Sequence, residues 1–121
     1  MTKLVDDSVL DAALDRFATA TVMHACSAAP ANQAGIAAVS LADTPMSGAD
    51  FTNSNGDVSG RKVTVAAKSG VTVDNNGTAD HVALSDGTTL LGVTEIPSPQ
   101  VLTAGNTMNF QSWAKEIRDP T

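Results

Sequence analysis

The feature that most constrains the fold is a run of short strand-like segments over Arg61–Trp113, each bounded by turn residues. Within Thr78–Thr94, two such segments flank the dipeptide Asp86-Gly87. This arrangement is typical of a β-hairpin, because the turn needs positive φ angles that glycine adopts at little cost. Ser69-Gly70 is a second turn signal of the same kind. The pattern predicts a β-meander core over residues 61–118.

Length and composition favour one β domain. A chain of 121 residues can bury about two-thirds of the surface that its unfolded form exposes. Charged residues make up 17%, below the roughly one-quarter usual in globular domains, which favours a chain that uses part of its surface for partners. We predict a mainly β fold over residues 1–121: a single-domain antiparallel β-sandwich or barrel-like meander with a short N-terminal α-helix.

The helix is predicted over residues 6–18. Asp7 or Ser8 can accept a hydrogen bond from the free N–H groups of the first turn. An apolar stripe at helical spacing follows, formed by Leu10, Ala13, Leu14 and Phe17.

Three carboxylates, Asp7, Asp11 and Asp15, also recur at a spacing of four. They could form a cation site or supply general acid and base groups. At neutral pH they would repel one another along an exposed face, with no neighbouring base or aromatic wall to shift a pKa. We interpret them as a solvated polar face.

Residues 20–60 are predicted to contain a strand and long loops. A two-residue period over Thr21–Cys26 indicates the strand and places His24 and Cys26 on one face. That pair invites a metal-site or Cys–His nucleophile hypothesis. A structural zinc site needs four ligands, and nothing in the sequence specifies an oxyanion hole, so a half-buried strand position is the better interpretation.

The segment Ile36–Ala42 is ambiguous, because its alanines favour a helix while Val39 and Leu41 alternate as in a strand. We interpret it as a strand. Asp43–Gly60 is rich in Pro, Gly and Asn and is predicted to be a long loop, with Phe51 as its aromatic anchor. Loops of this length in small domains are usually functional, and contact with a neighbouring molecule is the expected role.

Basic residues cluster at the start of the predicted meander, where Arg61, Lys62 and Lys68 lie in an acid-free window. They could form a basic patch that attracts an acidic surface, or they could be ordinary surface charges. Farther along, strand alternation places His81 on the opposite face from Asp80, so the two are not expected to act as a dyad.

Two features mark the end of the chain. Pro97-Ser98-Pro99 is expected to end a strand, because proline donates no hydrogen bond to a β-ladder. The only tryptophan, Trp113, is predicted either to cover the edge of the core or to anchor a partner, since tryptophan is common at both places.

Charge and cysteine content narrow the classes of partner. The net charge of −6 argues against nucleic acid and anionic membranes as partners. Cys26 is the only cysteine, so no intramolecular disulfide is expected. The sequence has no secretory signal or membrane-spanning apolar run, and we expect folding in a cytoplasm. No cofactor or metal is expected.

Four segments of the chain are read together, namely Ser59–Val65, Gly77–Leu84, Leu102–Thr107 and Trp113–Pro120. Together they resemble the small virion proteins of tailed bacteriophages and prophages. In those relatives a short N-terminal helix precedes a Pro-containing loop, here Ala28–Ala31, and a β-rich half that ends in Asp-Pro. The resemblance implies a non-enzymatic structural protein of the virion head, assembled in the host cytoplasm, and it carries no catalytic residues.

Within that setting the expected function is capsid decoration, in which a homo-oligomer, a trimer by lattice symmetry, cements the major capsid protein shell. The alternatives are a head–tail connector or tail component, a carbohydrate-binding module and an enzyme. With few aromatic residues the chain offers little platform for sugars. The candidate interface residues are Leu10, Leu14, Phe17, Phe51, Arg61, Lys62 and Trp113.

Overall fold

The computed structural model describes residues 5–119. Within these residues there are nine strands, two helices and two short 3-10 turns, Gln33–Gly35 and Gly48–Asp50. The helices are α1 (Asp7–Phe17) and α2 (Ile36–Val39), and the strands are β1 (Val22–Cys26), β2 (Ser40–Pro45), β3 (Phe51–Asn55), β4 (Arg61–Val65), β5 (Lys68–Thr72), β6 (Gly77–Ser85), β7 (Leu90–Leu102), β8 (Thr107–Phe110) and β9 (Trp113–Ile117).

The strands form three antiparallel sheets that share one core. Their orders are β2-β1-β6-β7, β3-β4-β9 and β5-β8. Among residues 5–119 no sheet closes into a barrel. Buried side chains from all three sheets, such as Leu84, Val65 and Phe110, belong to a single apolar cluster. The predicted mainly β, sandwich-like fold with an N-terminal helix is confirmed.

The predicted meander over residues 61–118 is wrong. β4 pairs with β3 and β9, and β5 pairs with β8, so only part of the chain order is kept within the sheets. Ser69-Gly70 is not a hairpin turn, because it lies inside β5 at a register shift, with Gly70 at a φ of 68°. A glycine in αL conformation suits a bulge as well as a turn, and the sequence does not distinguish them.

The hairpin at Asp86-Gly87 is confirmed, with Ser85 opposite Leu90 at the ends of β6 and β7. The connection is longer than the predicted two-residue turn. The Asp86 carboxylate accepts hydrogen bonds from the backbone N–H groups of Thr88 and Thr89 at 2.9 and 2.7 Å. Gly87 has a φ of 93°, a conformation that glycine adopts without a steric penalty.

The residue that caps the N-terminus of helix α1 lies one position earlier than predicted. The carboxylate of Asp6, not that of Asp7, accepts the hydrogen bond from the Ser8 backbone N–H at 3.0 Å. Leu10 and Leu14 form the buried face of the helix, and Ala13 of the predicted stripe is exposed. The helix therefore presents a narrower apolar face than its sequence suggested.

Two interpretations in the first half of the chain are corrected. Ile36–Ala42 is not a single strand, since α2 occupies its first part and β2 begins at Ser40. Asp43–Gly60 is not a long loop, because it contains the end of β2 and all of β3. β3 carries polar residues of low strand propensity, and its pairing with β4 outweighs that local preference.

The prolines at Pro97 and Pro99 do not end the strand as expected. β7 continues to Leu102, and its register against β6 jumps from Glu95, opposite His81, to Gln100, opposite Ala79. The extra residues bulge out of the ladder. A bulge leaves backbone groups unpaired, so proline is tolerated there.

Candidate interaction surface

The sequence from Ile96 to Ala114 contains no Asp, Glu, Lys or Arg. This stretch, the uncharged segment, forms the bulged half of β7, all of β8 and the start of β9. Most of its residues are exposed, and Val101 keeps 82% of its surface accessible. Centres of protein interfaces are depleted in charge relative to the rest of the surface. The uncharged segment is therefore the best candidate for a contact surface.

A pocket of about 460 Å³ opens within this segment and is called the Trp113 pocket below. The β7 bulge lines one side through Ile96 and Pro97, while Phe110 of β8 and Trp113 line another. Most of the lining is apolar, and Glu95 is the one charged residue among its described lining residues. A volume of this size lies in the range of roughly 300–1,000 Å³ in which protein pockets hold ligands.

Trp113 has one of the two roles that the sequence left open for it, covering the edge of the core. Its ring is half-buried, packs against the apolar core and also lines the pocket. The indole Nε1–H is buried and has no acceptor among the described residues. An unpaired buried donor costs about 1–3 kcal/mol relative to one that is hydrogen-bonded.

A second exposed feature is the loop between β3 and β4, residues 56–60, called the Val58 loop below. Val58 at its tip is 68% exposed. The Gly56 N–H donates to the Gly60 carbonyl at 3.0 Å, and the Glu116 carboxylate accepts from the N–H groups of Asp57 and Val58. A hydrogen bond from Arg118 is the first of the contacts that lower the pKa of Glu116, which keeps this acceptor ionised.

Gly60 makes this loop possible. Its φ is 68°, and a Cβ added to it would clash with the carbonyl oxygen of Ile117 in β9. The loop is thus a fixed turn that holds one valine side chain in solvent.

The candidate interface residues on α1 lie inside the chain's own core. Leu10 and Leu14 are 6% and 0% exposed. Phe17 is half-buried and packs so closely on Gly92 that a Cβ there would press on its ring. Phe51 at the start of β3 is likewise half-buried against the core. Leu10 and Leu14 stabilise the fold and are not available as a free surface, whereas Phe17 and Phe51 pack on the core and keep part of their surface exposed.

The sequence suggested that the α1 carboxylates form a solvated polar face, but two of them bond to other parts of the chain. Asp11 accepts a hydrogen bond from Arg61 Nε at 2.8 Å, and Asp15 accepts one from Asn53 Nδ2 at 2.9 Å. These contacts join the helix to β4 and β3. The attraction of Asp11 for Arg61 raises the pKa of that guanidinium, chiefly through their hydrogen bond.

The predicted basic patch is neutralised within the chain. Each of its three cations has a carboxylate partner that comes from outside the acid-free window. Such partly exposed pairs contribute little to the stability of the fold, but they remove the patch as a source of attraction. The pairs are Arg61–Asp11 at 2.8 Å, Lys62–Asp57 at 2.7 Å and Lys68–Asp50 at 2.9 Å.

The expectation that Asp80 and His81 face opposite ways is wrong. The β7 bulge interrupts the ladder at Asp80, and Asp80 Oδ1 lies 2.7 Å from His81 Nδ1. Cys26 of β1 is the register partner of His81, so a thiol, an imidazole and a carboxylate occupy neighbouring positions. Cys26 is fully buried, and burial raises its pKa to about 11. Its thiol is therefore protonated and inaccessible, which removes the main requirement of a nucleophile.

His24 is also held by its surroundings. Its Nδ1 lies 3.0 Å from the Ser40 hydroxyl, and burial lowers the pKa of the imidazole. Among residues 5–119 no group of three or more His, Cys, Asp or Glu side chains is arranged to hold a metal ion.

The sequence-based candidates included Trp113 but missed the other parts of the surface. The signal that could have found them is the long interval without a charged residue, which can be read directly from the order of the amino acids. The sequence around Val58 gave no such signal. The loop that exposes Val58 is held by hydrogen bonds from its backbone to Glu116, a residue distant in sequence.

Comparison with family models, with curated proteins and with solved structures gives no match to this chain. Within the described part of the chain, neither helix has the length and apolar character needed to cross a lipid bilayer.

Proposed function

We propose that this chain is a non-enzymatic structural protein of a tailed-bacteriophage virion and that it decorates the head by binding the assembled major capsid protein. The sequence resemblance described above supplies the class of protein. The structural observation that carries the proposal is the uncharged segment, most of whose residues are exposed on an otherwise acidic molecule.

The absence of charge is what suits the uncharged segment to a contact. The chain has a net charge of −6, so copies and other acidic proteins are repelled by most of its surface. A partner can approach the uncharged segment without burying an unpaired charge, which is the costly step in forming an interface.

Decoration then stabilises a shell by mass action. A protein that binds only the folded and assembled subunits raises the free energy needed to disrupt them, and repeated sites add avidity across the lattice. A trimer seated where three subunits meet would match the local symmetry of such a shell.

The proposal is tested by counting copies of the protein in purified particles. Decoration of the whole shell requires on the order of hundreds of copies, since the sites repeat with the lattice. About a dozen copies or fewer at one vertex would overturn decoration in favour of a head–tail connector. Absence from the particle would overturn both.

A binding assay locates the surface. Undecorated shells are mixed with the protein, and the bound fraction and the temperature of shell rupture are measured. We expect Val101→Asp, within the uncharged segment, to weaken binding at least tenfold, which is about 1.4 kcal/mol. Val9→Asp is the matched control, because Val9 is also an exposed valine, at 59%, but lies on α1. Equal effects of the two substitutions would contradict the assignment of the surface.

A further inference from the structure

The four-stranded sheet buries side chains on both of its faces. One face carries Met23 and Leu84, which belong to the apolar core. Strand alternation places Cys26, Ala83 and Ser85 on the other face, called the outer face below, yet each of them is 0% exposed. Another part of the chain must therefore cover the outer face.

The cover is the connection between β1 and β2, residues 27–39, called the strap below. The Ser85 hydroxyl donates a hydrogen bond to Gln33 Oε1 of the strap at 2.5 Å, and α2 packs against β1. Ile36 of α2 is 3% exposed although it lies outside the core cluster. Its side chain is therefore buried between the strap and the outer face.

The strap is held to the sheet by few interactions. Among the described residues, the bond between Ser85 and Gln33 is the one side-chain hydrogen bond that joins the strap to the sheet. The strap is rich in alanine and carries no ionisable side chain, so no ion pair fixes it. A segment with so few contacts opens at a lower free energy than the core does.

His24 lies half-buried on the outer face. Its Nδ1 is 3.0 Å from the hydroxyl of Ser40, the residue that ends α2. Asp43 of β2 is opposite His24, and His81 of β6 is its diagonal neighbour, with Asp80 Oδ1 2.7 Å from the His81 ring. Burial lowers the pKa of His24 more than Asp43 raises it. His24 therefore binds a proton more weakly under the closed strap than in contact with water.

We propose that the strap is a pH-sensitive latch, which covers the outer face at neutral pH and opens, with the sheet intact, as His24 takes up a proton. The open form binds that proton more tightly, so lowering the pH below about 6.5 shifts the equilibrium toward it. One proton can change the opening constant by at most about tenfold per pH unit. The inference goes beyond the proposed function and does not depend on it, because it concerns only this chain.

Amide hydrogen exchange of the full chain, followed by NMR, measures the opening. The reporters are the N–H groups of Ser27, Gly35 and Ser40, which donate to carbonyls of the strap. The reference is Leu84 in the buried part of β6. Exchange rates are corrected for the intrinsic effect of pH. At pH 7 the strap should have an opening constant at least about tenfold above that of Leu84. Between pH 7 and 5.5 this constant should rise at least about threefold.

Three variants separate the latch from the proton. Gln33→Ala removes the hydrogen bond to Ser85 and should raise the opening constant about threefold to tenfold at both pH values. His24→Gln should abolish the response to pH. His81→Gln is the matched control, because His81 lies on the same face but its ring already contacts Asp80, and the response should remain. If His24→Gln does not fold, His24→Thr replaces it, since threonine is well suited to strands.

Three results would overturn the inference. The first is that the strap amides exchange no faster than Leu84, which would mean that the strap opens only when the whole chain unfolds. The second is an opening constant that is the same at pH 7 and pH 5.5. The third is a response to pH that persists without His24 or is lost without His81. None of these results bears on shell binding, which is measured separately.

Discussion

Replacing Leu14 with alanine tests whether α1 is part of the folded core or a detachable arm. Leu14 is fully buried on the face of α1 that packs toward β4, where Asp11 also meets Arg61. Removing a buried leucine side chain costs about 2–5 kcal/mol, from lost burial and from the cavity left behind. The gain in helix propensity from alanine is at most a few tenths of a kcal/mol and does not offset it.

The loss is large relative to the total stability of a domain of this size, about 5–15 kcal/mol. In urea we expect one cooperative transition whose midpoint falls by about 1–2.5 M, given a typical slope of about 2 kcal/mol/M. Val9→Ala on the exposed face of the same helix is the control and should change stability by less than about 0.5 kcal/mol. A Leu14→Ala protein as stable as the control, or one with a separate early transition for the helix, would refute the integral role of α1.

Three further outcomes are expected. Gly60→Ala should lower stability by at least about 1–2 kcal/mol, because its φ of 68° is unfavourable for alanine, and urea unfolding measures the loss. Cys26 should not react with a thiol reagent in the folded chain, because it is buried and its pKa is raised to about 11. It should react fully in denaturant, and fast labelling of the native chain would contradict this prediction. Burial lowers the pKa of His24 below its ordinary value of 6.5, so the unfolded chain binds the proton first as the pH falls. Stability should therefore decline below about pH 6.5 by at most about 1.4 kcal/mol per pH unit from this residue, and His24→Gln should remove that part of the decline in unfolding curves taken between pH 7 and 5.

The sequence predicted those parts of the fold that depend on neighbouring residues. The β6–β7 hairpin follows from Asp86-Gly87, and α1 follows from the spacing of Leu10 and Leu14. The sequence did not predict which distant segments pair with one another as strands. β5 pairs with β8 across most of the second half of the chain, and the choice of partner depends on which faces pack together in the core.

Two errors in the sequence-based interpretation have one physical cause. Pro97 and Pro99 are strand terminators when considered alone, and strict alternation separates Asp80 from His81. The β7 bulge opposite Asp80 changes both results, because it accommodates the prolines and breaks the alternation of the ladder. The same bulge forms one side of the Trp113 pocket. A register shift of this kind is set by pairing across two strands, so no single segment reveals it.

The bulge also limits the pairing of an uncharged, exposed sheet edge with a strand of another chain. β7 lies at the edge of its sheet, where free backbone groups could pair with another chain. Pro97 and Pro99 lack N–H groups, and the bulge takes Ile96–Pro99 out of the ladder, so continuous strand addition there is blocked. The segment can remain free of charge because its backbone is already protected. Side chains and the pocket, not the strand edge, are then left as the means of contact, which favours partners of matching shape over nonspecific sheet extension.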